Sequence, residues 1–98
     1  MKSTFLKIKE KVNIMNKPLA YLREVLSNYT DEGQHYPSQL LSKIANNHYN
    51  TERDFVLDLS EQEIQYLNSI LPNELSHAME SEDFPRVQQL NEVYELLF

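Results

Sequence analysis

Apolar positions recur along this chain at steps of three and four, the pattern of amphipathic helices. The clearest run is Ser60 to Ala78, SEQEIQYLNSILPNELSHA, in which Ile64, Leu67, Leu71, Leu75 and Ala78 share one helical face. Its start carries a reciprocal cap. The Ser60 hydroxyl can accept from the Glu63 amide while the Glu63 carboxylate accepts from the Ser60 amide. Glu61 and Glu63 also place negative charge in the first turn, where unbonded amides favour it. Pro72 falls inside the stripe. It removes a backbone donor and presses on the Asn68 carbonyl, at ~3 kcal/mol in a regular helix interior. The stripe keeps its phase across Pro72, which favours one kinked helix over two helices meeting at Leu71.

Four more helices are predicted around this one. The first covers about 17–30, with Pro18 at the first helical position and Leu19, Leu22, Val25 or Leu26, and Tyr29 turned inward. Thr30 to Gly33 end it, with Gly33 the left-handed cap. Pro37 opens the next, whose face is Leu40 or Leu41, Ile44, Ala45 and His48 or Tyr49. Asn46, Asn47 and Asn50 then compete for local backbone hydrogen bonds and stop it. Asn50 or Thr51 caps a short helix, TERDFVLDL, with Phe55, Val56 and Leu59 inward. The last helix begins near Ser81 or Asp83, with Pro85 tolerated in its first turn. Phe84, Val87, Leu90, Tyr94 and Leu97 form its face. The expected fold is therefore all-α: a small bundle of four to five helices, with Ser60–Ala78 and Asp83–Leu97 as its central antiparallel pair.

The closing stretch from Val93 to Phe98 is apolar nearly all round. Such a helix end is either held in the core or buried against a partner. Tyr94, Leu97 and Phe98 are accordingly the candidate contacts for a protein partner or for self-association, a homodimer included.

Residues 1–16, MKSTFLKIKEKVNIMN, read two ways. Leu6, Ile8, Val12 and Ile14 alternate with polar residues as in a strand, and Phe5, Ile8, Val12 and Met15 fit a helix. A third reading comes from the codons. Lys9-Glu10 can be written AAGGAG and Lys11-Val12 AAGGTG, both resembling a ribosome-binding site a short way upstream of the Met15 codon. On that hypothesis Met15 is the natural start and residues 1–14 are translated leader. The expected organisation is a basic N-terminal extension over 1–16 and a single helical domain over 17–98.

Composition narrows the function classes. The chain has 98 residues, 41% hydrophobic, with one Gly and four Pro, which suits one helical domain. It has no cysteine, so disulfides and thiolate chemistry are excluded. No apolar run is long enough to span a membrane, and lysines interrupt the N-terminal apolar stretch where a signal peptide would be continuous. A cytoplasmic protein is expected. The net charge of −6 is uneven: residues 1–17 carry +4 and the remainder −10. An acidic body lacks the basic footprint that nucleic-acid binding needs, so nucleic acid is disfavoured as a partner.

No catalytic constellation appears. Asp31, Glu32 and His35 share a loop, but two carboxylates and an imidazole there make a solvated turn far more often than a metal site. Glu74 and His77 give E-x-x-H, a spacing that ligates di-iron centres when paired copies converge, and the chain has a single copy. There is no phosphate loop, nucleotide fingerprint, nucleophile elbow or H-E-x-x-H. No catalytic, cofactor-binding or metal residue is assigned, no cofactor is expected, and the chain is read as not an enzyme.

Three stretches carry a resemblance: LAYLREVLSN at Leu19–Asn28, DFVLDLSEQEIQYL at Asp54–Leu67 and LNEVYELLF at Leu90–Phe98. They resemble the small sigma-G-dependent, sporulation-specific proteins of Bacillus-type spore formers, with YLRE and LNEVYELL the most specific parts. The likeness runs from about Lys17 to Phe98. It implies expression in the forespore, a forespore cytoplasmic location and no assigned activity. That family is sometimes grouped with small acid-soluble spore proteins, whose DNA-coating members are Gly-rich. One Gly and an acidic body do not carry DNA binding over. The resulting expectation is a non-enzymatic, sporulation-associated interaction or regulatory protein. The alternative is a nucleic-acid-associated protein that uses the basic N-terminal arm. The nucleotide sequence tests the leader hypothesis: a purine-rich GGAG-like run upstream of the Met15 codon is expected, and codons without one would remove it.

Overall fold

The computed structural model describes residues 16–30, 33 and 35–98. The N-terminal expectations over 1–15, and Asp31 and Glu32, lie outside the described residues. Among the described residues five α-helices follow in order: α1 Lys17–Ser27, α2 His35–Asn46, α3 Glu52–Leu57, α4 Glu61–Glu80 and α5 Phe84–Tyr94. A 3-10 turn, Glu95–Leu97, continues α5. No strand occurs among the described residues, and the fold is a small all-α bundle.

Four of these helices, α1, α3, α4 and α5, start on a side-chain cap. Asn16 accepts from the Leu19 amide at 3.0 Å, and Thr51 from the Asp54 amide at 3.1 Å. At α4 both halves of the capping box are present: the Glu63 amide donates to Ser60 Oγ at 3.1 Å, and the Ser60 amide to Glu63 Oε1 at 2.8 Å. Asp83 caps α5, accepting from the Arg86 amide at 3.3 Å. These bonds satisfy donors that a helix start otherwise leaves open.

α4 runs through Pro72 as one helix of 20 residues. Leu67, Ile70 and Leu71 before the missing donor and Ala78 after it are all buried, which holds the helix on both sides. The buried face is rotated from the sequence expectation. Glu63 and Ile70 are buried, whereas Ile64 and Leu75 are only partly covered.

Two boundaries differ from the sequence reading. α1 stops at Ser27 rather than near Thr30, because the next amides bond three residues back: Asn28 to the Val25 carbonyl and Tyr29 to the Leu26 carbonyl, both at 3.0 Å. Ser27 Oγ donates to the Glu24 carbonyl at 2.7 Å, so hydroxyl bonding competes with helix continuation at that end. Gly33 does take the left-handed conformation, φ 75°, but in the loop beyond this end rather than as the helix cap. α2 starts two residues before Pro37, which the first turn accommodates because amides there have no intrahelical partner.

A single hydrophobic cluster joins all five helices: Leu19, Leu22, Val25 and Leu26 from α1, Leu40 from α2, Phe55 and Val56 from α3, Leu67, Ile70 and Leu71 from α4, Leu90 and Val93 from α5, and Leu97 from the 3-10 turn. α4 and α5 form the most extensive pairing. A connection of three residues between helices in such contact reverses the chain, so they run antiparallel. α5 also packs on α1 and α3, which puts the shorter member of the pair at the centre of the bundle. Phe84, expected on the inward face of α5, is instead 56% exposed. It stands at the first position of α5, before the helix has settled onto α1 and α4.

The reversal between α4 and α5 is a Schellman closure. The Asp83 amide donates to the Ala78 carbonyl at 2.8 Å and the Glu82 amide to the Met79 carbonyl at 3.0 Å. Glu82 occupies the left-handed position at φ 56°, where a side chain costs about 1 kcal/mol. Glu82→Gly is expected to stabilise the protein by roughly 0.5–1 kcal/mol, raising Tm by several degrees in a chain of this size. Thermal unfolding followed by circular dichroism checks it; an unchanged or lowered Tm would contradict the assigned strain.

Candidate interaction face and its supports

The E-x-x-H residues Glu74 and His77 stand in separate settings. Tyr29 Oη donates to Glu74 Oε2 at 2.6 Å, tying the end of α1 to α4. His77 points along the surface, its Nδ1 3.7 Å from Glu80 Oε1, with both side chains 76% exposed. The E-x-x-H spacing is therefore split between a helix–helix tie and open solvent. Among the described residues no group of three or more His, Cys, Asp or Glu stands close enough to hold a metal. A concavity of about 800 Å³ lies between α1 and the end of α2, lined by Leu19, Ala20, Ile44 and Ala45, with Arg23 and His48 also facing it. Its ionisable groups are exposed and do not converge with a nucleophile or base.

Three further polar junctions hold the helices in register. The first is buried. Glu63 is fully inaccessible, and its Oε1 accepts both the Ser60 amide and Lys43 Nζ, each at 2.8 Å. Lys43 Nζ also donates to the Asp58 carbonyl at 2.8 Å, so one ammonium links α2, the end of α3 and the start of α4. Burial pushes the Glu63 carboxyl up, but Lys43 and the Ser60 donors together outweigh it and hold the group below its ordinary value of 4.5. The second junction is Tyr49, whose Oη donates to Asp58 Oδ2 at 2.6 Å and accepts from Asn47 Nδ2 at 3.0 Å. Burial, and then the neighbouring Asp58, raise the Tyr49 phenol above its ordinary value. The third is Arg86, which bonds Asp83 Oδ2 at 3.1 Å and reaches across to Glu24, with its guanidinium 5.5 Å from the centre of the Tyr21 ring. It fastens the start of α5 to α1.

The chain's closing stretch divides by role. Leu97 is in the core at 7% exposure. Phe98 is 84% exposed, and Tyr94 is partly buried with its ring edge-on to Phe98 at 4.9 Å and 76°. Leu57, at the end of α3, is 72% exposed, and α3 touches the 3-10 turn that precedes Phe98. Of the three residues singled out from the sequence, Phe98 reaches solvent fully, Tyr94 backs it, and Leu97 anchors the turn. Leu57 was missed because Phe55 and Val56 absorb the inward face of a one-turn helix. Counting which side of α3 they occupy leaves Leu57 outside.

The fold is that of a small helical bundle whose polar groups serve helix packing. The family described as "CsgA: Minor curli fiber component A" matches residues 15–98. The chain is 39% identical over 83 residues to "Sigma-G-dependent sporulation-specific SASP protein" of Bacillus subtilis (strain 168), a match covering 85% of this chain and 99% of that relative. The chain belongs to this family of sporulation-specific proteins, as its sequence motifs indicated. No solved structure matches it. The two descriptions differ, one naming a fibre component and the other a sporulation protein. The described residues contain no strand edge, the usual template for adding chains to a fibre. No helix among the described residues is long and apolar enough to cross a membrane.

Lys43→Met is expected to leave the buried Glu63 carboxylate unpaired and to destabilise the fold by about 3 kcal/mol, measured by urea denaturation at neutral pH. Because Glu63 has a folded-state value below 4.5, its stabilisation is complete above that pH and is lost as the pH falls through the lower value. The variant should therefore show a weaker loss of stability in that acid window than the parent chain.

Proposed function

We propose that this chain is a non-enzymatic interaction protein of the forespore cytoplasm, acting by presenting the C-terminal end of its bundle to a protein partner. Its family relative supplies the sporulation setting. The observation that carries the interaction is Phe98, 84% exposed directly after a buried Leu97. A large aromatic held out on a short, anchored turn loses little freedom on binding, which makes it an efficient contact. Tyr94 stiffens it through the edge-on ring contact, and Leu97 fixes the turn from beneath.

Phe98→Ser removes the contact while sparing the core, since Leu97 remains in place. Tagged parent and variant chains, expressed in sporulating cells and cross-linked, provide the test. A discrete adduct formed by the parent and lost in the variant, with unchanged circular dichroism, is the expected result. Both chains recovered alone, as monomers by light scattering, would overturn the reading.

A further inference from the structure

Two exposed apolar residues at this end of the bundle lie on segments that carry one-sided charge. Leu57 and Phe98 stand at the ends of two segments that touch, α3 and the 3-10 turn. Along those segments and their flanks lie Glu52, Asp54, Asp58, Glu61, Glu92 and Glu95, against the single basic residue Arg53. Among the described residues none of Glu52, Asp54, Glu61, Glu92 or Glu95 takes part in an ion pair. Among the described residues nothing cancels their charge.

This arrangement selects between occupants. A second copy docked face to face brings the same carboxylates against these, and like charges in a desolvating contact oppose it. A phosphate backbone meets the same repulsion. A helix with an apolar stripe flanked by Lys and Arg satisfies both features at once, with its stripe on the hydrophobic pair and its cations on the acidic surround. Resting on the interaction role proposed above, we propose that this end of the bundle docks a basic amphipathic helix of another protein, seated on Leu57 and Phe98.

The full chain is titrated against a fluorescein-labelled helical peptide of about 18 residues, built from Leu and Lys at heptad spacing, and against a counterpart with Glu in place of Lys. The Leu–Lys peptide is expected to bind, with affinity falling at least about tenfold as salt rises from low to high concentration. Leu57→Ser and Phe98→Ser should each weaken it by about tenfold or more. Met79→Ser, at an exposed apolar site beside the α4–α5 turn, should leave it unchanged. Three results would overturn the proposal: equal binding by the Glu peptide, binding indifferent to Leu57 and Phe98, or a doubled solution mass that Phe98→Ser abolishes. Failure of the Leu–Lys peptide while Phe98→Ser still removes a cross-linked partner in cells would sink the basic-helix assignment and leave the interaction role standing.

Discussion

A single buried carboxylate sets the geometry of the bundle. Glu63 begins α4, closes the cap with Ser60, and meets Lys43 from α2 inside the protein. Burying a charge is tolerable only where partners replace the water it leaves. Those partners come from α2 and from the turn between α3 and α4. The requirement therefore fixes the register of three consecutive elements at one point. α4 cannot slide or rotate without stranding the charge, and α5, which packs along α4, inherits that placement.

The rest of the assembly follows the same logic of polar ties outside a continuous apolar centre. Arg86 joins the start of α5 to α1, Tyr29 joins the end of α1 to α4, and Tyr49 joins the segment after α2 to the end of α3. None of these groups is left poised for chemistry. The protein's distinctive surface is instead made by side chains the core did not take in, chiefly Phe98 and Leu57.

Much of this architecture was legible in the chain itself. The cap at Ser60 could be read because its spacing is short and local, and the helix through Pro72 because an apolar stripe in constant phase outweighs one missing hydrogen bond. What escaped depended on residues distant in sequence. Glu63 reads as a first-turn charge until Lys43, twenty positions earlier, is known to face it. It does share the phase of Leu67 and Leu71, and that was the available hint. Phe84 was placed inward by periodicity, which says nothing about where a helix first meets its neighbours. Of the candidate contacts, the sequence marked an apolar end but could not divide it into Leu97 inside and Phe98 outside. A 3-10 turn breaks the α-helical phase at that point.

The central position of α5 bears on how the protein is made. α1 to α4 leave the ribosome before the element that α1, α3 and α4 all pack upon. Until α5 emerges, the buried sides of those helices have no common surface to close against. Folding of the nascent chain should accordingly be abrupt, with assembly of the full core waiting on the emergence of α5.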